Sequence, residues 1–151
     1  MRAFTALLSA AALATTVTAD FYIYRGIQYI TVNASTLDSY LFLSAPPSCD
    51  DVYNARIFSV SNDVSGGKEG VRCKGCSTAE DPDVQVTELE FNIDEYGHYT
   101  SYIENNELVD LDNNVVGHCN IDAADTYNCF DALATYKGQS QLFCTTDLAI
   151  P

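Results

Sequence analysis

Two histidines and one C-x-x-C pair are the side chains here whose types and spacing could do chemistry. His98 and His118 are the whole histidine complement of the chain. Two imidazoles can serve as general acid and general base on a phosphodiester, but that reaction also needs a cation for the pentavalent phosphate. Arg25, Arg56 and Arg72 are the arginines that could supply it, because no Lys or Arg occurs between Gly75 and Tyr136. A small hydrolase of nuclease type therefore requires His98 and His118 to converge with one of these arginines. The plainer expectation for both histidines is a surface position on a strand.

Cys73-Lys74-Gly75-Cys76 has the spacing used by redox pairs and by half of a zinc ribbon. Its flanks read as loop, not as the start of a helix in a βαβ setting, and no second C-x-x-C exists to complete a zinc site. The six cysteines are Cys49, Cys73, Cys76, Cys119, Cys129 and Cys144, an even number that implies three bridges with fifteen possible pairings. We expect Cys73 and Cys76 each to reach a distant partner and pin the loop before them. Cys119 is expected to pair with Cys129 or Cys144.

Carboxylates also occur in suggestive pairs. Glu88/Glu90 and Asp110/Asp112 stand two residues apart, on one face of a strand. A glycosidase would bury such a pair in a sugar cleft, normally floored by tryptophan, and the chain has no Trp. Asp110-Leu111-Asp112-Asn113-Asn114 opens like a calcium loop but has Val115 where glycine is needed and Ile121 where the bidentate glutamate belongs. No metal, no cofactor and no catalytic residue is expected.

The elements that must position these groups follow a signal-peptide pattern. Arg2 precedes an apolar Ala/Leu-rich run, and Val17-Thr18-Ala19 presents small residues for cleavage before Asp20. The run is too short to span a bilayer, which takes about 20 residues. We read residues 1–19 as a signal peptide and residues 20–151 as one secreted domain. Cysteines exported in this way enter an oxidising compartment and pair.

The formal net charge is −14. Four of the seven basic residues lie within Arg56–Lys74, whereas fourteen acidic residues fall between Gly75 and Tyr136. Such a surface disfavours nucleic acid and anionic lipid. Strand signals recur about every ten residues between Asn, Asp and Gly turns, most clearly from Val84 to Cys119. A single helical turn is expected over Cys49–Ala55, capped by Ser48 or Asp50. Val84–Ile93 reads as one strand with a bulge near Thr87, residues 121–134 as loop or short helix, and Gln141–Thr146 as the last strand. The fold class is mainly β: a disulfide-stabilised antiparallel sandwich or barrel with one or two short helical turns. Asn33-Ala34-Ser35 is an N-glycosylation sequon, so Asn33 is the expected glycan acceptor.

An Ala-rich signal peptide, a single small β-rich domain and six cysteines together resemble the fungal small secreted cysteine-rich proteins, a class containing candidate effectors. The resemblance implies a secreted protein that acts on a host or competitor, and it carries over no site residues. In size and β-rich pattern the chain is also similar to the fungal β-barrel major allergens, which usually have fewer cysteines. The stretch Glu104-Asn105-Asn106-Glu107-Leu108, leading to His118, resembles a hairpin of some fungal guanyl-specific ribonucleases, although the matching arginine is missing.

These residues lead us to expect a non-enzymatic, effector-like binding protein, extracellular and monomeric. Its partner would be an extracellular protein or glycan, with neither nucleic acid nor membrane involved. A nuclease-like hydrolase using His98 and His118, or a cell-wall or coat protein, are the alternatives.

Overall fold

The computed structural model describes residues 19–78 and 83–148. All of the proposed signal peptide except Ala19 lies outside the described residues. Ala19 itself begins the first strand.

Ten strands and one helix follow in the order β1 (Ala19–Ile30), β2 (Ser35–Leu43), α1 (Cys49–Asn54), β3 (Phe58–Ser59), β4 (Gly70–Lys74), β5 (Glu88–Ile93), β6 (Gly97–Tyr102), β7 (Glu107–Val109), β8 (Val115–Ile121), β9 (Thr126–Phe130) and β10 (Ala134–Thr146). One antiparallel sheet runs β3-β2-β1-β10-β8-β7-β6-β5-β4, with β9 on β10 as a branch. Its two ends approach each other, and Val71 N of β4 donates to Asn62 O of the loop after β3 at 3.1 Å. The fold is thus mainly β and nearly closed into a barrel.

β10 organises the molecule. One end, Leu142–Thr146, pairs with β8, and the other, Thr135–Gln139, pairs with β9. β1 runs alongside both. The meander β4–β8 therefore closes the barrel around only half of the β1–β10 pair. Beyond it, β2, β1, β10 and β9 continue as a four-stranded splayed sheet.

The closed half is filled by alternation. Phe21 and Ile23 of β1, Leu89, Phe91 and Ile93 of β5, Leu108 of β7 and Leu142 of β10 have no exposed surface. Phe91 meets Phe42 at 5.0 Å between ring centroids, Phe21 at 6.3 Å and Tyr99 at 5.6 Å. A bulge at Ile23/Tyr24 leaves Gln141 as the extra residue of β10. Its buried amide oxygen accepts from Ser77 N at 3.0 Å.

One face of the splayed half is covered by a second, smaller cluster of Tyr24, Leu41, Val52, Tyr127 and Cys129. Gly26 and Gly138 stand directly opposite each other in β1 and β10. The missing side chains let Tyr127 lie flat on the sheet: a Cβ on Gly138 would sit 2.2 Å from its ring, and one on Gly26 2.3 Å from its hydroxyl. α1 completes the cover. Ser48 and Asp51 form a capping box, and Val52 is buried. Six residues are too few for a helix to be stable alone, and the Cys49–Cys129 bridge fixes it to β9.

Several expectations change. Residues 84–87 are not strand; the ladder begins at Glu88, and the phase change near Thr87 marks that start rather than a bulge. Residues 126–130, read as loop or helix, form β9. The last strand begins at Ala134 rather than Gln141, since Gly138 interrupts its alternation without interrupting its pairing.

The cysteines pair as Cys49–Cys129, Cys73–Cys76 and Cys119–Cys144, and none is free. The Cys119–Cys144 alternative is the one formed, between residues facing each other across β8 and β10. The expectation that Cys73 and Cys76 each reach a distant partner is overturned. They close on each other, because Gly75 at φ +82° turns the chain back. The loop before Cys73 is held by hydrogen bonds instead, Asn92 Nδ2 donating to Gly67 O at 3.0 Å and to Lys68 O at 3.1 Å.

Candidate functional site

The two histidines do not come together. His98 of β6 pairs with Asn92 of β5, while His118 of β8 pairs with Glu107 of β7, which in turn faces Tyr102 of β6. Tyr102 and His98 are four residues apart on β6. At about 3.3 Å per residue and 4.8 Å between strands, the two histidines are about 16 Å apart. Each ring is held on a separate partner rather than against the other.

Each histidine instead serves the sheet. His98 Nε2 lies 2.7 Å from Glu90 Oε1, and Arg72 pairs with the other oxygen of the same carboxylate. This Arg72–Glu90–His98 row crosses three adjacent strands on the outside of the barrel. Lys74 and Glu88 form a parallel pair at 2.7 Å. The Glu88/Glu90 carboxylates are thus engaged by cations. His118 Nδ1 lies 3.1 Å from Asn106 O, across the β7–β8 hairpin.

The calcium-like sequence is also accounted for locally. Asp110 Oδ1 accepts from Asp112 N and Asn114 N, both at 2.9 Å, and Oδ2 accepts from Asn114 Nδ2 at 2.9 Å. The Asn114 bonds, side chain first, hold its carboxyl below the usual range. The carboxylate caps a turn through Asn113, at φ +62°. Among the described residues no three His, Cys, Asp or Glu side chains are grouped to hold a metal ion.

What remains is the second face of the splayed sheet, over which no helix or strand among the described residues is packed. The register builds it in three rows. Phe130, Thr135, Tyr29 and Thr36 cross the four strands at the far end. Asn128, Lys137, Ile27 and Asp38 form the middle row, and Thr126, Gln139, Arg25 and Tyr40 the row at the barrel mouth. Alternation makes this face continuous with the barrel interior, since Ile23 and Arg25 point to the same side of β1.

The face is built of aromatic rings and polar groups. Phe130 is 65 % exposed, and Lys137 Nζ sits over the Tyr29 ring at 5.9 Å. Arg25 donates to Tyr40 Oη at 2.9 Å and to Asp38 Oδ2 at 3.3 Å, while its Nε is buried without a hydrogen-bond partner. Burial pushes the Tyr40 hydroxyl up, with Arg25 acting against it. At the rim, Thr31 N donates to Leu133 O at 2.8 Å, joining two hairpin tips that carry the exposed side chains Val32 and Leu133. Asn33 is exposed on the same tip. Its Oδ1 accepts from Ser35 Oγ at 2.7 Å.

Sequence reasoning did not find this face. Arg25, Ile27 and Tyr29 alternate visibly, but Phe130 and Asn128 lie in the segment expected to be loop or short helix. Only pairing with β10 brings them alongside Tyr29.

No family model, no curated protein and no solved structure matches the chain. The geometry alone therefore carries the functional argument. That face is broad and mixes aromatic, hydroxyl and charged side chains.

Proposed function

We propose that this chain is a secreted, non-enzymatic binding protein, and that the open face of β9, β10, β1 and β2 holds an extended neutral glycan. The carrying observation is the row Phe130–Thr135–Tyr29–Thr36, two aromatic rings interleaved with hydroxyls, with Phe130 and Thr36 exposed and Thr135 and Tyr29 half-buried. Aromatic rings offer large apolar contact at little entropic cost, and sugars present C–H faces to meet them. Thr36, Asp38, Asn128 and Thr135 supply donors and acceptors for sugar hydroxyls. The net charge of −14 argues against polyanionic chains. Secretion is supported by the N-terminal pattern and by three disulfides, which persist in oxidising compartments. Asn33, exposed at a hairpin tip, is the proposed glycosylation site.

Co-sedimentation with insoluble cellulose, chitin and β-glucan tests the reading. The wild type should be depleted by at least one of these polymers, and the Tyr29→Ala/Phe130→Ala variant should stay in solution. Equal depletion of both, or of neither, overturns it. Saturable binding to a purified extracellular protein that competes with no polysaccharide would assign the face to a protein partner instead.

A further inference from the structure

The Cys73–Cys76 bridge has no part in the face described above, and it does little for the fold. The other bridges join residues 80 and 25 apart, whereas this one spans three. Constraint on the unfolded chain grows with the loop closed, so this bridge restrains it least.

Nor does its own loop depend on it. Thr87 N donates to Lys74 O at 2.9 Å, Gln85 N to Gly75 O at 3.2 Å, and Ser77 N to the buried Gln141 Oε1 at 3.0 Å. A Cβ on Gly75 would sit 2.0 Å from Gln85 O, so glycine is what brings this ring against the neighbouring chain. These bonds would keep the loop in place with the bridge open.

Accessibility sets it apart from Cys119–Cys144, whose two residues have no exposed surface. Cys73 and Cys76 are both half-buried, flanking the exposed Lys74 and Gly75. Cys73 lines a small groove at the barrel mouth with Arg25, Arg72, Tyr40 and Asp63.

We propose that Cys73–Cys76 is an exchangeable disulfide that takes electrons from low-molecular-weight thiols while the protein stays folded. A thiolate RS⁻ attacks Cys76 Sγ on the loop. The Cys73–Cys76 bond breaks, an R–S–S–Cys76 bond forms, and Cys73 leaves as thiolate into the groove. A second RS⁻ attacks the R-bearing sulfur, expels the Cys76 thiolate and departs as RSSR. Two thiols are oxidised, the protein disulfide is reduced, and the two protons lost by the thiols end on Cys73 and Cys76. The reverse sequence reduces a small disulfide.

The native protein in glutathione buffers of graded thiol content, quenched with an alkylating agent and peptide-mapped, tests this. The expected first step is two labels per chain, on Cys73 and Cys76, with near-ultraviolet circular dichroism unchanged. First labelling at Cys49/Cys129 or Cys119/Cys144, or six labels appearing together with loss of that signal, overturns it. The direction of attack is read separately. Cys73→Ser should trap one glutathione on Cys76, and Cys76→Ser should trap less on Cys73. Equal or reversed capture overturns the assigned leaving group.

Discussion

The closed half of the sheet and the splayed half share three strands, yet they are stabilised differently. In the closed half the two ends of the sheet approach each other, and Phe21, Leu89, Phe91 and Leu142 are sealed inside. Burial of that kind contributes about 1.5–3 kcal/mol per large side chain, and the buried Cys119–Cys144 bridge joins β8 to β10 within it. In the splayed half the same strands cover only one face, and the cover is a six-residue helix, a disulfide and a tyrosine laid over two glycines. Leaving the second face open costs stability and frees a surface. A scaffold that is rigid on one side and unfilled on the other suits binding better than a uniformly packed barrel.

The comparison breaks most sharply at Phe91. Phe91→Ala should cost about 3–5 kcal/mol, because its ring contacts Phe21, Phe42 and Tyr99 in the sealed core. Denaturant unfolding should show both halves lost together. If β1, β2 and β10 kept native hydrogen-exchange protection, the halves would be separate folding units.

Removing the tether gives the next largest effect. Cys49→Ser with Cys129→Ser should cost about 2–5 kcal/mol. Exchange protection should fall in α1 and β9 first, while β5 and β6 stay protected. Uniform loss would show that the bridge supports the barrel as well.

Gly138→Ala should cost about 1–3 kcal/mol by driving a methyl into the Tyr127 ring. A Gly138→Ala/Tyr127→Ala double variant should lose less than the sum of the two single changes. Strict additivity would contradict the direct contact.

The smallest effect is electrostatic. Asp131, at the β9–β10 tip, accepts from Leu133 N at 2.6 Å and Ala134 N at 2.8 Å. Those backbone bonds hold its carboxyl below the ordinary 3.8. A lowered carboxyl pKa stabilises the fold above the unfolded value, and that contribution is lost as pH falls through the lowered one. Acidification from pH 4 downward should therefore shift the Leu133 and Ala134 amide resonances, and Asp131→Asn should abolish that transition.

Much of the closed half was legible in the sequence. The turns at Asp94–Gly97, Glu104–Asn106 and Asp112–Asn114 carry the residues such turns require, and β5 before them alternates cleanly. Of the two caps expected for α1, Ser48 is the one formed. The splayed half was much less legible, for physical reasons. Gly138 erases the apolar alternation of β10 at the place where Tyr127 covers it, and β9 is too short to stand out between its flanking acids. The proposed binding face inherits that obscurity, because three of its four strands show period-two patterns of mixed polarity.

Composition and local pattern alone determined the class: an acidic, antiparallel β protein with six cysteines available for three bridges. Such properties depend on single residues and near neighbours, so they survive without a fold. Tertiary structure alone decided the disulfide pairing, the separation of His98 from His118, and the gathering of Tyr29 and Phe130 on one open face. Each is a relation between strands distant in sequence, set by register, and a shift of one residue would turn every side chain to the opposite face.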